Sequence, residues 1–511
     1  MDGSLNYNNW EALLPCDDFK RDFILTGVKQ GFNIISPESE LIPVETENYK
    51  SATGPQYKAA VEKQITEEIL NNRYIISKDK PTIVSALGAI PKKDGSKVRL
   101  IHDCSRPLSK SVNDYAEYQP FTYQSLQDAI DLIEPHYYLA KLDLASAYRS
   151  VKINAADYKA TGLKWTFTGD SSPTYLIDTR LPFGARSSPS VFNELSQAVR
   201  RIMAAQGVPS IIVYLDDFLV IAESQEKCQS YLAHLMKVLR QLGFAINYNK
   251  VTGPCKRLTF LGITLDTENM TIELPSEKIS DLKLSLITTF NKHKVTKRNL
   301  QSLAGKLNYA TQCIYGGRFF LRRILDCIGQ LRLPWHRTRV TQAIRNDISW
   351  WLQFLEVFNG QTKMVDCRPQ TPVCIDACPE AAGGYHGNEF VYTSFRNWPG
   401  SYGHHINYKE TLALEPAVKC WAHTWRNKKV HIYCDNQAAV AIMNKGSCKD
   451  PFVMESLRRV FWYSVKYNFR IKATYLPGTH NQIADSVSRL HDPISFNRLA
   501  AWYRIQFYKC V

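Results

Sequence analysis

Two adjacent acids, Asp216 and Asp217, lie between the apolar runs Ile211-Ile212-Val213-Tyr214-Leu215 and Phe218-Leu219-Val220-Ile221. Each run has the β-branched, apolar character of a buried strand, and the acids fall where the chain must turn. The spacing predicts a β-hairpin with carboxylates at its tip. Two anions side by side repel, more strongly in apolar surroundings. A fold tolerates them readily when cations sit there, and hard carboxylate oxygens suit Mg²⁺. An ordinary Asp-Asp turn has the same local sequence, so the rest of the chain must decide.

A third acid, Asp143, closes the run Tyr137-Tyr138-Leu139-Ala140-Lys141-Leu142. Three acids from two strand ends can hold two cations about 4 Å apart, the clamp of in-line phosphoryl displacement. Upstream, the segment from Ser85 to Asp103 reads as strand, Asp94-Gly95 turn and strand. Lys92, Lys93, Lys97 and Arg99 cluster at that turn. A basic hairpin over a metal site would hold a triphosphate, Arg bidentately and Lys as a point charge. A solvated hairpin tip is the plainer alternative. The loop Leu181-Pro182-Phe183-Gly184-Ala185-Arg186-Ser187-Ser188-Pro189 is rich in small residues and precedes an amphipathic helix from Ser190 to Met203. Such a loop lets backbone approach a base pair closely.

A second acid set lies toward the C-terminus. Pro372-Val373-Cys374-Ile375-Asp376 and Val430-His431-Ile432-Tyr433-Cys434-Asp435 are strands that end in an acid. Glu410 sits at the start of a long helix and Asp485 on a late one. Glu415 competes with Glu410 on the same helix, and His480 precedes Asp485 closely.

The elements that must position these groups fit a chain of 511 residues, 44% hydrophobic and 22% charged, which is globular and long enough for several domains. The formal net charge of +15 favours a polyanionic partner. Between Lys278 and Arg345, fourteen Lys and Arg face two acids, Asp281 and Asp326. That stretch reads as helical, with Leu282, Leu286, Leu300, Leu303 and Leu307 at helical spacing. It forms a basic stripe of the kind that tracks a nucleic-acid backbone. Tyr57 to Asn72 reads as an amphipathic helix, whereas residues before Val84 offer no chemistry. The 13 cysteines are scattered with no Cys-x-x-Cys pair, which predicts free thiols in a reducing, intracellular compartment. No apolar leader or membrane-length run is expected.

In their order along the chain, these motifs carry a resemblance. Asp143 with Tyr148, Leu181-Pro182-Phe183-Gly184 and Tyr214-Leu215-Asp216-Asp217 resemble the palm of a reverse transcriptase. The Lys92 to Arg99 hairpin resembles its fingers. Asn247-Tyr248-Asn249-Lys250 is similar to the palm segment whose Lys serves the leaving pyrophosphate, and Thr259-Phe260-Leu261-Gly262-Ile263 to the primer grip. The resemblance implies that Asp143, Asp216 and Asp217 bind two Mg²⁺, with Mn²⁺ as a substitute. It implies that Lys92 and Arg99 hold the triphosphate and that Tyr148 excludes a ribose 2′-hydroxyl. A packed core tyrosine is the alternative for Tyr148. Phe183 stands where the retroviral pattern has Gln, and retrotransposon enzymes often have an apolar residue there.

The alternation of strand-acid, helix-acid, strand-acid and helix-acid resembles the ribonuclease H fold, with Asp376, Glu410, Asp435 and Asp485 as its site and two further Mg²⁺. Glu410 fits that family's position better than Glu415. The pairing looks like the polymerase of DIRS-type retrotransposons, with gypsy-like elements the nearest competitor. The expected fold class is an α+β multidomain chain, a right-hand polymerase and then an α/β ribonuclease H-like domain. The expected divisions are an N-terminal extension (1–60), fingers and palm (61–266), thumb and connection (267–365), a ribonuclease H-like domain (366–495) and a C-terminal tail (496–511). The expected function is RNA-directed DNA synthesis with removal of the RNA strand. The expected partners are an RNA template, a DNA primer, the RNA–DNA hybrid and dNTPs, with no membrane and no separate protease or recombinase in the ends. Two rivals are a domesticated copy that binds nucleic acid without catalysis, and a polymerase whose ribonuclease H is inert.

Overall fold

The computed structural model describes residues 4–91, 98–117, 119–365, 372–446 and 448–509. Lys92, Lys93 and Lys97, expected at the basic hairpin tip, lie outside the described residues. The chain divides into two compact units, Met1–Leu261 and Gly262–Val511.

The first unit is built on a four-stranded antiparallel sheet. Its strands are β1 (Tyr138–Asp143), β2 (Ile211–Tyr214), β3 (Asp217–Ala222) and β4 (Thr252–Cys255), in the order β4-β1-β3-β2. The runs Ile211-Ile212-Val213 and Phe218-Leu219-Val220-Ile221 are buried throughout, as continuous apolar strands covered on both faces should be. Helices α1 (Ser187–Ala205) and α2 (Gln225–Leu242) present amphipathic faces to this core, and Phe192, Leu195, Leu235 and Leu239 are buried in it. Residues 4–35 are not an appendage. Trp10, Ile24, Phe32 and Ile34 share the same core, and Trp10 Nε1 donates to the Leu242 carbonyl at 3.1 Å. Part of the expected N-terminal extension (1–60) thus shares the core of this sheet, which no motif in that stretch announced.

A second core in this unit joins the helix Lys58–Leu70 to Leu87, Val98, Leu163, Trp165 and Leu176. The hairpin Leu87–Pro91 with Val98–His102 is present in antiparallel register, Pro91 opposite Val98.

The second unit opens with helices Ser276–Phe290, Lys297–Ala310, Arg322–Gln330 and Gln342–Val357. Trp350 and Trp351 are buried on the last of these. The basic stripe is less free than its composition suggests. Lys306 pairs with Asp281 at 2.8 Å, Arg322 with Asp326 at 2.7 Å and Arg323 with Asp347 at 2.7 Å. Lys297 Nζ donates to the Leu331 carbonyl at 2.6 Å, and Arg345 to the Phe290 carbonyl. Gly317 is a close approach, since a Cβ there would lie 2.3 Å from the Trp351 ring.

A five-stranded sheet completes the chain: β5 (Val373–Ala377), β6 (Ala381–His386), β7 (Glu389–Ser394), β8 (Lys429–Cys434) and β9 (Arg470–Tyr475). Their order is β7-β6-β5-β8-β9. The first three are antiparallel neighbours, and β5–β8 and β8–β9 are parallel. Helices α3 (Ile406–Leu412), α4 (Gln437–Lys445), α5 (Pro451–Tyr467) and α6 (Gln482–Ser488) accompany the sheet. No separate tail starts at Phe496 among the described residues, because the helix Pro493–Lys509 runs through it without a break. Among the described residues every cysteine is free, and no helix is long and apolar enough to cross a membrane.

Candidate active sites

Strands β1 and β3 pair so that Asp143 and Asp217 are direct Cα partners. The link between β2 and β3 is a two-residue turn, Leu215-Asp216, in which Leu215 takes φ 53°. A branched residue in the left-handed region is strained, and the surroundings hold it. Ser196 Oγ donates to the Leu215 carbonyl at 2.7 Å, and the Leu144 amide to the Asp216 carbonyl at 3.1 Å. The acids therefore sit on the turn and on the first residue of β3, rather than both at the tip. On β2, the Val213 amide donates to Gln124 Oε1 at 2.9 Å.

Burial raises the Asp216 carboxyl above its ordinary range, with Asp143 adding to it. Asp217 is pushed up to about 6 by burial and then by the charges of Asp216 and Asp143. Asp143 has polar company. Lys250 Nζ donates to its Oδ2 at 3.0 Å and Asn247 Nδ2 at 3.1 Å. The Asn247 amide also donates to the Asp143 carbonyl at 2.9 Å, which ties the Lys250 segment to the strand end. Three clustered carboxylates with one lysine on one of them retain repulsion that divalent cations would relieve, so the donor set fits hard divalent metals.

The remaining candidates of the first unit also converge. Tyr148 lies in the short turn Ala147–Ser150 and stacks on Phe183, with ring centroids 5.0 Å apart and planes at 26°. The Arg99 guanidinium lies 5.7 Å from the Phe183 centroid. Tyr148 is half-buried and also touches Phe192 at 5.4 Å, so it is both packed and partly accessible. Burial shifts its phenol upward, and Asp216 contributes to the shift. Arg99, Phe183 and Tyr148 thus form one run of neighbours. Lys141 Nζ, from β1, donates to the Thr259 carbonyl at 2.7 Å, anchoring the start of the segment likened to a primer grip.

In the second unit, Asp376 lies on β5, Asp435 directly after β8, Glu410 on α3 and Asp485 on α6. Oxygens of Glu410 and Asp435 and the sulfur of Cys434 lie within 4.8 Å of one another. Asp376 and Glu410 are almost fully buried, 3% and 4% exposed. Burial lifts Asp376 to about 7, against a hydrogen bond from Ser488 and with help from Asp435 and Asp485. Burial lifts Glu410 to about 9, with Asp376 and Asp435 adding to it. Buried, mutually repelling carboxylates with few cationic neighbours again fit divalent metals. Asp485 differs in being paired, with Arg489 Nε at 2.7 Å.

The competition between Glu410 and Glu415 has a structural answer. Glu415 faces Arg459 at 2.8 Å, Lys419 at 2.7 Å and Ser456 Oγ at 2.6 Å. Burial works against its charge, yet those partners hold it below the usual carboxylate range. Glu415 is a satisfied internal ion. His480 is exposed at the end of the turn Gly478–His480.

Sequence reasoning passed over three supporting groups. Ser488 Oγ donates to Asp376 Oδ2 at 2.6 Å. Asn481 Nδ2 donates to the Ile375 carbonyl at 3.1 Å, bracing the strand that carries Asp376. Asn113 Nδ2 donates to the Gly184 carbonyl at 3.0 Å, and its Oδ1 accepts from the Arg186 amide at 2.7 Å. A serine or asparagine near a motif carries no distinctive signal, and Asn113 is far from its partners in sequence.

Residues 90–265 match the family described as reverse transcriptase (RNA-dependent DNA polymerase). That part of the chain is similar to the reverse transcriptase domain family. Around that domain, 430 residues are 21% identical to the Transposon Tf2-3 polyprotein of Schizosaccharomyces pombe, covering 79% of this chain and 28% of that protein. The Transposon Tf2-7 polyprotein of the same yeast gives the same identity and coverage. The chain spans less than a third of the length of these relatives. Among solved structures, the foamy viral protease-reverse transcriptase in complex with dsDNA aligns with TM-score 0.53 at 16% identity, covering 93% of this chain and 98% of that one. The same viral protein in complex with an RNA/DNA hybrid aligns with TM-score 0.52 at 15% identity, covering 93% and 63%. The likeness is one of fold, a mixed α/β multidomain architecture that includes the reverse transcriptase domain.

Proposed function

We propose that this chain is an RNA-directed DNA polymerase of a retrotransposon that also cleaves the RNA strand of the hybrid it makes. The observation that carries the polymerase half is the convergence of Asp143, Asp216 and Asp217 on two adjacent strand ends, within a matched reverse transcriptase domain. Those three carboxylates would hold two Mg²⁺, with Mn²⁺ as a substitute. Metals held there would supply a lowered pKa for the primer 3′-hydroxyl and charge neutralisation at phosphorus. Lys250, beside Asp143, serves the leaving pyrophosphate as a nearby cation. Arg99 receives the triphosphate, and the family resemblance adds Lys92, a position outside the described residues. Tyr148 backs the sugar and excludes a 2′-hydroxyl, with Phe183 stacked against it.

The second half rests on the unit-two sheet. Strand order β7-β6-β5-β8-β9 and acids at the ends of β5 and β8, on α3 and on α6 support a ribonuclease H-like domain at 366–495. Asp376, Glu410, Asp435 and Asp485 would hold the metals that activate a water against a phosphodiester. Residues 61–266 then serve as fingers and palm and 267–365 as thumb and connection. The remaining cations of the basic stripe hold the template–primer duplex by its phosphates. The linker pieces Leu303-Ala304-Gly305-Lys306-Leu307 and Gly317-Arg318-Phe319-Phe320-Leu321 favour a DIRS-type element. The free thiols suit a reducing, intracellular compartment.

The deciding experiment is primer extension on an RNA template with dNTPs and Mg²⁺, with and without EDTA, beside cleavage of a labelled RNA–DNA hybrid. Metal-dependent extension and cleavage support the reading. Tight hybrid binding without either reaction would assign the chain to nucleic-acid binding alone.

A further inference from the structure

We infer that Arg149 is a positioning residue for nucleotide selection: a buried ion cluster around its guanidinium joins the three segments that carry Arg99, Tyr148 and Phe183. The inference rests on the polymerase reading of the first unit.

The three stacked residues come from segments far apart in the chain. Each has a close sequence neighbour in or against one cluster. Arg149 follows Tyr148 directly and is 7% exposed. Its Nε donates to Glu68 Oε2 at 2.9 Å and its Nη1 to Asp178 Oδ2 at 3.0 Å. One face of the guanidinium lies 5.4 Å from the Tyr74 centroid. Asp178 closes the strand Thr174–Asp178, just upstream of Phe183. His102, three residues after Arg99, places Nδ1 3.8 Å from Asp178 Oδ2. The loop after Phe183 seats on the same strand end, because a Cβ on Gly184 would lie 2.0 Å from the His102 carbonyl oxygen. Glu68, Asp178 and His102 are all buried.

Stability alone does not account for such a cluster. Buried ion pairs contribute little beyond apolar packing of the same volume, whereas breaking one leaves an uncompensated charge. A planar guanidinium that joins two carboxylates in fixed directions specifies one arrangement, and a lysine cannot reproduce the fork. Burial penalises the Asp178 carboxylate, yet Arg149 and His102 hold it below its ordinary range. The turn Ala147–Ser150 is a single short 3₁₀ segment entered through Ser146 at φ 52°. The Arg149 side chain therefore sets the direction in which Tyr148 leaves the core. A shift at Arg149 passes to the adjacent ring, and from there to the space left for a sugar.

The test compares wild type with Arg149→Lys and Glu68→Gln in the full chain. Arg149→Lys keeps the charge but loses the fork. Glu68→Gln weakens one arm and leaves the Arg149–Asp178 pair. The readouts are KM and kcat for dNTP and for NTP on an RNA template, with thermal unfolding alongside. Expected is a rise in KM for dNTP larger than any fall in kcat, and a loss of dNTP-over-NTP selectivity of roughly tenfold. That is less than the hundredfold an ångström of misplacement can cost. Unchanged selectivity in a folded, active Arg149→Lys protein overturns the inference and leaves Arg149 a structural ion. Glu68→Gln decides in the same way should the lysine variant fail to fold. A wild-type protein that incorporates no dNTP overturns the polymerase reading itself, a separate and recognisable outcome.

Discussion

Asp143 and Asp217 face each other as Cα partners across β1 and β3, and the Lys250 ammonium lies on Asp143, 3.0 Å from Oδ2. The lysine therefore offsets one acid of the cluster while burial and the other two charges press on Asp217. Divalent cations bound there would depend on each carboxylate. Asp216→Asn should reduce primer extension by about 10³-fold or more, the scale of losing metal-based stabilisation of a developing charge. Hybrid cleavage should persist, because its acids belong to the other compact unit. The measurement is both activities on one folded preparation. Equal loss of the two would contradict two independent sites.

Tyr148 stacks on Phe183 at 5.0 Å and remains half-buried. Tyr148→Val removes the ring without touching a carboxylate. Ribonucleotide incorporation should rise relative to dNTP by about tenfold or more, the value of one steric contact to a substrate group. The readout is the ratio of kcat/KM for dNTP over NTP. An unchanged ratio with dNTP activity retained would make Tyr148 a core residue only.

Much of the palm site was legible because its signals are local. Apolar runs broken by acids mark strands and their ends, and β1, β2 and β3 take the expected course. What stayed hidden is buried charge. Nothing in the sequence marks Glu68, Arg149 and Asp178 as partners, and only the fold shows that they meet. Trp10 and Phe32 were equally silent, since the first 35 residues carry no sustained periodicity and gain their place from contacts with α2 and the palm core. Composition overstated the basic stripe, because sequence separation hides pairs such as Arg323 with Asp347. Glu410 and Glu415 could be ranked only by family likeness. On one continuous helix, residues five apart differ by about 140° in direction, whereas the structure puts Glu410 on Ile406–Leu412 and Glu415 on the next helix, Leu414–Trp421.

Ser488 Oγ donates to Asp376 Oδ2 and stands against the burial that raises this carboxyl to about 7. Ser488→Ala should push Asp376 higher still, because a hydrogen bond to the charged form is lost. Hybrid cleavage should fall several-fold at pH 7 and recover toward pH 9, where Asp376 ionises even without the serine. The check is the pH profile of cleavage for both proteins at fixed Mg²⁺. Parallel profiles would mean the serine does not tune Asp376.

The two glutamates make opposite predictions for stability. Glu410 is raised by burial and by Asp376 and Asp435, so its folded value of about 9 lies above its unfolded one. The folded state then holds the proton more tightly, and stability falls as pH climbs from the unfolded value toward the folded one. In metal-free buffer at pH 8, Glu410→Gln should therefore stabilise the second unit, by at least about 1 kcal/mol or a few degrees of Tm. The gain should shrink toward zero below about pH 4, where the wild-type side chain is mostly neutral in both states. Cleavage should be lost. Glu415 is held below its ordinary range by Arg459, Lys419 and Ser456, so its charge stabilises the fold above the unfolded value. Glu415→Gln should cost about 2 kcal/mol at pH 8, less than a fully buried pair because Arg459 and Lys419 reach solvent. It should leave cleavage per folded molecule near normal. Thermal unfolding at the two pH values, beside the cleavage assay, decides between them. Destabilisation by Glu410→Gln, or loss of cleavage in a folded Glu415→Gln protein, would reverse the assignment of the helix acid.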